Sequence, residues 1–475
     1  MRKSILPAMI ATFLTTACTV GPDYHKPVAA LPKGGQFVTT GQGIDPAAPL
    51  PDDWWRLYRD PALDALIAQA FAANTDLRVA AANLAKARAV LSEARAGRLP
   101  STDLSAGGGY GNTVSFGGGQ GGSAQIGEGQ GFGNASASLS WEVDLFGRIH
   151  RSIEAARADT QAQEAARDGV RVLVAAEVTR SYLAACAQGH ALAVARDSAQ
   201  VAQQNLDLVT AQEKAGSVAT FDVERAAAAA ATARAALPAF EAQRQVALFE
   251  LAALLGQTPD AIPKAAQGCA IPPTPASVLP VGDGAALLRR RPDLREAERR
   301  LAADTARIGV ATADLYPKIS LGAFGGFLRS QTVQGSNSFS YSLGPAVSWS
   351  FPNIATARAR VKQARAQGDA SLASFDGRVL TALKEVEQAL TRVQTGQRRL
   401  DELAEAQARA EKAWQLGDRR YRAGSISLLD MLVVQGAMLD ARAAHAAALT
   451  QLSSDRVDLF KALGGGWQAE QRETG

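Results

Sequence analysis

The sequence predicts a mainly α-helical, internally duplicated chain that also carries a few strands of transmembrane-barrel type. Three observations predict it. A tight-turn motif occurs twice, as Gly216-Ser217-Val218 with Asp222 and as Gly424-Ser425-Ile426 with Asp430. Gly424 minus Gly216 is 208 positions, and Asp430 minus Asp222 is also 208, the fixed offset of an internal repeat. Two stretches alternate apolar and polar residues around Trp141 and Trp349, and 349 − 141 is again 208. Between strands and turns run long stretches with helical spacing, among them Val379, Leu383, Val386, Leu390, Val393 and Leu400, the 4-3 seam of a coiled coil.

In chain order, Arg2 and Lys3, the apolar stretch 5–14 and the small residues before Cys18 form an export signal too short to span a membrane. A cysteine directly after small residues looks like a lipoprotein signal, with residues 1–17 removed and Cys18 as the lipidated new N-terminus. Thr15 stands where such signals usually have leucine, so an ordinary signal peptide with an incidental cysteine is the alternative. Thr19 follows Cys18 where an inner-membrane retention signal would have Asp, which favours the outer membrane. Cleavage removes two cations and no acid, taking the formal charge from +4 to 4 − 2 = +2.

Residues 18–256 read as a lead-in and the first repeat. Asp60 caps a helix with Pro61 at its first position, and helical pattern continues through Asn74 to about Gly97. A weak strand follows at about 103–111. Gly117 to Gly122 formally match G-x-G-x-x-G, but no strand-to-helix unit surrounds them, so they read as a loop. The clear strand is 135–145, with Ala135, Ala137, Leu139, Trp141, Val143 and Leu145 on one face and serines and acids on the other. One helix is then expected over about 149–215, near 100 Å long at ~1.5 Å per residue, a turn at about 215–222, and a second helix over about 222–255. Prolines mark a linker at 257–290. The second repeat, 291–464, opens on Arg291-Pro292-Asp293, forms strands at about 319–328 and 338–351, and has helices over about 355–422 and 428–463 around a turn at 423–430. A tail, 465–475, closes the chain. Gly424 supplies the left-handed end of one helix, and Ser425 or Ser427 the cap of the next.

The composition excludes several classes. Charges are dispersed, and Arg289-Arg290-Arg291 is the one basic run, so nucleic acid is not a partner. His25, His150, His190 and His445 are scattered without metal-ligand spacing, and no nucleophile motif stands out; no catalytic, cofactor or metal residue is assigned. The cysteines are Cys18, Cys186 and Cys269. Cys186 sits in a helical run and reads as a small buried hydrophobe, in preference to a bridge with Cys269 in an oxidising compartment.

The strands admit a soluble sandwich or a membrane barrel. Their length, their aromatics and a serine face suited to a wet lumen favour the barrel. Four strands cannot close one, and open edges are not tolerated in lipid, so the chain should oligomerise around a conduit.

Cys18-x-x-Gly21-Pro22-Asp23-Tyr24, Trp54-Trp55 with Asp60-Pro61-Ala62-Leu63, Arg291-Pro292-Asp293 with Ala297-Glu298-Arg299-Arg300-Leu301, Tyr316-Pro317 and the two glycine-serine turns resemble the outer membrane efflux protein family. Within that TolC-like family they resemble the lipoprotein channels of tripartite efflux pumps (NodT-type). The resemblance spans essentially the whole mature chain. It implies a homotrimer with a twelve-stranded barrel in the outer membrane and a long periplasmic coiled-coil barrel. A periplasmic adaptor, an inner-membrane pump of RND type and outer-membrane lipid would be its partners, and small molecules or drugs its cargo. It places adaptor docking at Gly216, Ser217, Val218, Gly424, Ser425 and Ile426. It places the periplasmic gate at Leu429, Asp430 and Val433, with Val433 where many relatives have Asp. A type I protein-secretion duct on the same fold, or a structural envelope lipoprotein, are the alternative functions.

Overall fold

The computed structural model describes residues 19–28, 36–39, 43–48, 50–115, 123–275, 278–351 and 354–467. The signal peptide, Cys18 and the glycine run 117–122 lie outside them. In chain order the elements are α1 (Pro61–Ala73), α2 (Thr75–Ala96), β1 (Ser101–Ser115), β2 (Ser123–Val143), α3 (Arg148–Lys214), α4 (Thr220–Ala235), α5 (Leu237–Leu254), α6 (Gly284–Arg290), α7 (Pro292–Ala313), β3 (Lys318–Ser330), β4 (Phe339–Ser348), α8 (Ile354–Arg422) and α9 (Leu428–Ala462). The chain divides into two compact units, each assembled from both repeats. One comprises Met1–Val28, Ala82–Glu164 and Arg295–Asp376, and the other Ala29–Ala81, Ala165–Leu294 and Gly377–Gly475.

The first unit holds a single antiparallel sheet in the order β1-β2-β3-β4. β1 and β2 are longer than the alternation in the sequence suggests, at 15 and 21 residues. The reason is glycine. Gly131, Phe132 and Gly133, ahead of the expected strand 135–145, pair with Tyr110, Gly109 and Gly108, so residues that look like loop continue the ladder. β4, at 10 residues, stops at Ser348, short of Trp349 and Phe351. Below the sheet the chain after Cys18 is fastened to helices. The buried Arg151 guanidinium donates to the carbonyl of Val20 (3.2 Å) and to Asp23 (2.7 Å), and it also pairs with Glu154 (2.8 Å). Tyr24 donates to Glu298 at 3.1 Å. Two motifs from distant parts of the sequence, Gly-Pro-Asp-Tyr and Ala-Glu-Arg-Arg-Leu, therefore meet.

The second unit holds the main core, in which Trp54 stacks on Phe460 with ring centroids 4.7 Å apart. The coiled-coil seam supplies Val386, Leu390 and Val393 to this core. Asp60 caps α1 through the amide of Ala62, and its other oxygen accepts from Tyr182. Asn74 breaks the pattern expected to run on to Gly97. Its side-chain Oδ1 accepts from the amides of Asp76 and Leu77 and so caps α2, while its Nδ2 donates to the Leu254 carbonyl.

Two features correct the sequence reading. The helix expected over 222–255 is two helices, because Pro238, within the first turn of α5, has no amide to continue the ladder. And Cys186 is not a free buried hydrophobe: it forms a disulfide with Cys269, with the Cα atoms 4.8 Å apart. The linker reaches α3 because Gly189, one turn beyond Cys186, has no side chain; a Cβ there would stand 2.9 Å from the Cys269 carbonyl oxygen. Arg244 donates to the carbonyls of Gln267 and Cys269 and holds the same loop. The linker also carries order of its own. Asp283 caps α6 through the amide of Ala286, and residues 44–45 pair in parallel with 279–280.

Candidate functional site

Two sites emerge, the sheet and the paired turns. In the sheet, register decides which side chains share a face. Phe339, Tyr341, Leu343 and Val347 on β4 stand opposite Phe327, Gly325, Ala323 and Ile319 on β3. These in turn face Ala135, Ala137, Leu139 and Val143 on β2. One face is thus apolar across the strands. The other carries Ser136, Ser138 and Ser140 against Ser105, Asp103 and Ser101. The apolar face is bare: Tyr341 is 90% exposed and Leu104 and Leu343 each 83%. β1 and β4 have no strand on their outer sides among the described residues. A sheet with a water-facing and an apolar face and two open edges is part of a larger closed object.

The two tryptophans that mark the repeat do the same job twice. Trp141 donates its indole N–H to the carbonyl of Arg98 at 3.0 Å, and Trp349 to that of Leu315 at 3.2 Å. Both acceptors lie just past the helix that leads into the first strand of the same repeat. An indole with an apolar body and a satisfied polar tip suits a membrane–water boundary. No helix among the described residues is long and apolar enough to cross a membrane.

The turns have matching geometry. Gly216 has φ +73° and Gly424 φ +70°, the left-handed region where only glycine is unstrained. Behind Gly216, its own amide donates to Glu213 and that of Ser217 to Gln212; behind Gly424, the amides of Gly424 and Ser425 donate to Tyr421 and Arg420. Both ends are Schellman motifs. Val218 and Ile426 pack against a small cluster of Val209, Ala226, Tyr421, Leu428 and Met431.

The turns differ in what starts the next helix. Ser427, not Ser425, caps α9, and Asp430 completes a capping box. Ser427 Oγ accepts from the Asp430 amide (3.1 Å), and the Asp430 carboxylate accepts from the Ser427 amide (3.2 Å) and hydroxyl (2.7 Å). In the first repeat the matching position is Ala219, since 427 − 208 = 219, and it makes no side-chain cap. Ser427→Ala should therefore cost about 1 kcal/mol locally and speed amide hydrogen exchange in the first turn of α9, while Ala219→Ser should slow it in the first turn of α4. Leu429 and Val433 point away from the cluster, 50% and 61% exposed.

Sequence reasoning missed the polar links beneath the turns. Tyr421 donates to Gln212 Oε1 at 2.7 Å. Burial, and then the charge of Asp222, raise its phenol above the ordinary range. Asn205 donates to Gln435 Oε1 at 2.9 Å, with both residues buried. A signal for the second was present, because Gln435 occupies a core position in the 3-4-3 series Leu428, Met431, Gln435, Met438. No group of His, Cys, Asp or Glu among the described residues is placed to hold a metal ion.

A sheet of this kind, with helical hairpins ending in paired turns, defines an outer-membrane channel of the TolC type. Residues 66–257 and 285–465 match the outer membrane efflux protein family, and the chain belongs to that family. It is 30% identical to nodulation protein T of Rhizobium leguminosarum bv. viciae over 470 residues, 99% of this chain and 95% of that one. To the toluene efflux pump outer membrane protein TtgC of Pseudomonas putida it is 29% identical over 477 residues, 98% and 96% of the two chains. Among solved structures, the outer-membrane channel OprN superposes with a TM-score of 0.85 at 34% identity, covering 95% of this chain and all of that one. The protein is the outer-membrane component of an efflux system.

Proposed function

We propose that three copies of this chain close a twelve-stranded barrel in the outer membrane and form a passive conduit. Through it, small molecules or drugs handed over by an inner-membrane pump of RND type leave by way of a periplasmic adaptor. The observation that carries this reading is the four-stranded sheet with one apolar face, one serine face and two open edges. Three such sheets joined β4 to β1 leave no edge in lipid and put the serines on the lumen. Most of the helical part stands in the periplasm, and the Cys186–Cys269 bridge suits that oxidising compartment.

In this reading residues 1–17 are the signal peptide, 18–256 and 291–464 the two repeats joined by the linker 257–290, and Cys18 carries the lipid anchor. Gly216, Ser217, Val218, Gly424, Ser425 and Ile426 meet the adaptor. Leu429 and Val433 line the periplasmic constriction, and Asp430 fixes the turn that presents them. The test is conductance of the purified protein in planar bilayers, together with drug susceptibility of a deletion strain. A protein that inserts but never conducts would sink the reading. For Cys18→Ser the expected result is a folded chain that no longer takes up radiolabelled palmitate and is displaced from the outer membrane; wild-type protein that fails to label would remove the anchor.

A further inference from the structure

We infer that Arg358, Lys362 and Arg365, at the start of α8, form a binding site for anionic phospholipid in the leaflet that faces the periplasm. The site rests on the reading above of the sheet as the membrane-spanning part, and it names a lipid which that part meets. Residues 354–368 carry four cations, Arg358, Arg360, Lys362 and Arg365, and no acid. The helix dipole disfavours cations near a helix N-terminus, so the run calls for anions from elsewhere. Arg360 finds one in Asp314 at 4.0 Å, and on the same flank Gln367 donates to Asp304 at 3.3 Å. Arg358, Lys362 and Arg365 recur at one-turn spacing on the other flank, beyond the buried Val361 and Gly368. All three are exposed and have no ion pair among the described residues.

Their height fits headgroups. The bare apolar surface of β4 runs on to Trp349 and Phe351, whose rings stack with centroids 4.9 Å apart and which are 50% and 66% exposed. α8 starts three residues after Phe351. At ~1.5 Å per residue, Arg358 and Lys362 lie roughly 6 and 12 Å along α8 from its first residue. Side chains on a helix lean toward its N-terminus, here toward the sheet, and long cationic ones stretch further into a headgroup layer about 5 to 7 Å deep. The first repeat has the same place with its charge already met. The matching positions, 358 − 208 = 150, 362 − 208 = 154 and 365 − 208 = 157, hold His150, Glu154 and Arg157. There Glu154 and Asp23 take Arg151, and Glu142 takes Arg148. The segment after Cys18 covers the start of α3 closely: a Cβ on Gly147 would stand 2.8 Å from Thr19. At the start of α8 the three cations stay open to solvent. A phosphodiester whose charge no headgroup amine offsets complements them.

The experiment uses full-length protein reconstituted into phosphatidylcholine vesicles with a trace of spin-labelled lipid. Electron spin resonance reads the fraction of label slowed at the protein surface, for labelled phosphatidylglycerol and for labelled phosphatidylcholine. Wild type should prefer phosphatidylglycerol roughly fivefold or more at low salt, and about 1 M NaCl should abolish the preference. Arg358→Gln/Lys362→Gln/Arg365→Gln should lose it at low salt. Arg358→Lys/Arg365→Lys should keep it, and Arg398→Gln/Arg399→Gln, far along α8, should leave it unchanged. Wild type that slows both lipids equally would overturn the site, as would a triple variant with the full preference. A triple variant that inserts but no longer crosslinks as the wild-type oligomer would show that the stripe faces a neighbouring copy, which also overturns it. Protein that slows neither label does not span the bilayer, and the membrane reading of the sheet then fails first.

Discussion

Replacing Arg291 with methionine is expected to destabilise the protein by about 2 kcal/mol, the cost of losing charge-assisted bonds from a buried guanidinium to carboxylates that are themselves partly exposed. Arg291 makes four bonds. Its Nε and Nη2 fork onto the two oxygens of Asp293 (2.9 and 2.8 Å), Nη2 also reaches Glu385 (2.8 Å), and Nη1 donates to the carbonyl of Ala462 (2.9 Å). Burial opposes the charge, but Asp293 and Glu385 outweigh it and the guanidinium is held more firmly protonated than usual. The side chain thus ties the α6–α7 junction to α8 and caps the Ala462 carbonyl at the end of α9. Lysine keeps the charge but cannot fork, so Arg291→Lys should fall between wild type and Arg291→Met. Arg289, exposed two residues earlier, is the control, and its alanine variant should stay within about 0.5 kcal/mol of wild type. Thermal unfolding followed by circular dichroism checks all three. A methionine variant as stable as wild type would show that the bonds carry no net stability.

Changing Cys269 to serine is expected to cost about 4 to 5 kcal/mol at most. That is the entropy of an open loop spanning 83 positions, which the bridge to Cys186 removes from the unfolded chain. Cys269 is the better of the two to change, because Cys186 is fully buried and a serine hydroxyl there would need a partner. Wild type in dithiothreitol should melt where Cys269→Ser melts without it, and reductant should not shift the variant further. A wild-type melting temperature that ignores reductant would mean the thiols are not joined in the protein.

How much was legible in the sequence depended on how local the signal was. The turns were legible because a left-handed glycine followed by serine is written within a few residues. The apolar face of the sheet was legible wherever side chains alternate. The length of β2 was not, since Gly129, Gly131 and Gly133 have no side chain to alternate and read as loop. The break between α4 and α5 had a local mark, Pro238, standing inside an otherwise continuous alanine-rich pattern. The disulfide had none: only folding of the linker onto α3 brings residues so far apart in sequence together, and Gly189, the residue that permits it, looks like an ordinary glycine within a helix. At the candidate gate, the family resemblance, carried over by position, pointed to Leu429, Asp430 and Val433. It could not say that Asp430 is occupied by Ser427, because Ser425 was an equally good cap on residue type.

The open edges of the sheet carry a genetic implication. If every joint of the proposed ring takes β4 from one copy and β1 from the next, one copy with a damaged edge spoils the whole assembly. A cell making equal amounts of wild-type chain and an edge variant, such as one with proline at Tyr341, would build only roughly one ring in eight from sound copies alone, if subunits mix at random. Such an allele would be dominant, whereas a variant that never leaves the cytoplasm would be recessive. Drug sensitivity in partial diploids can tell the two apart.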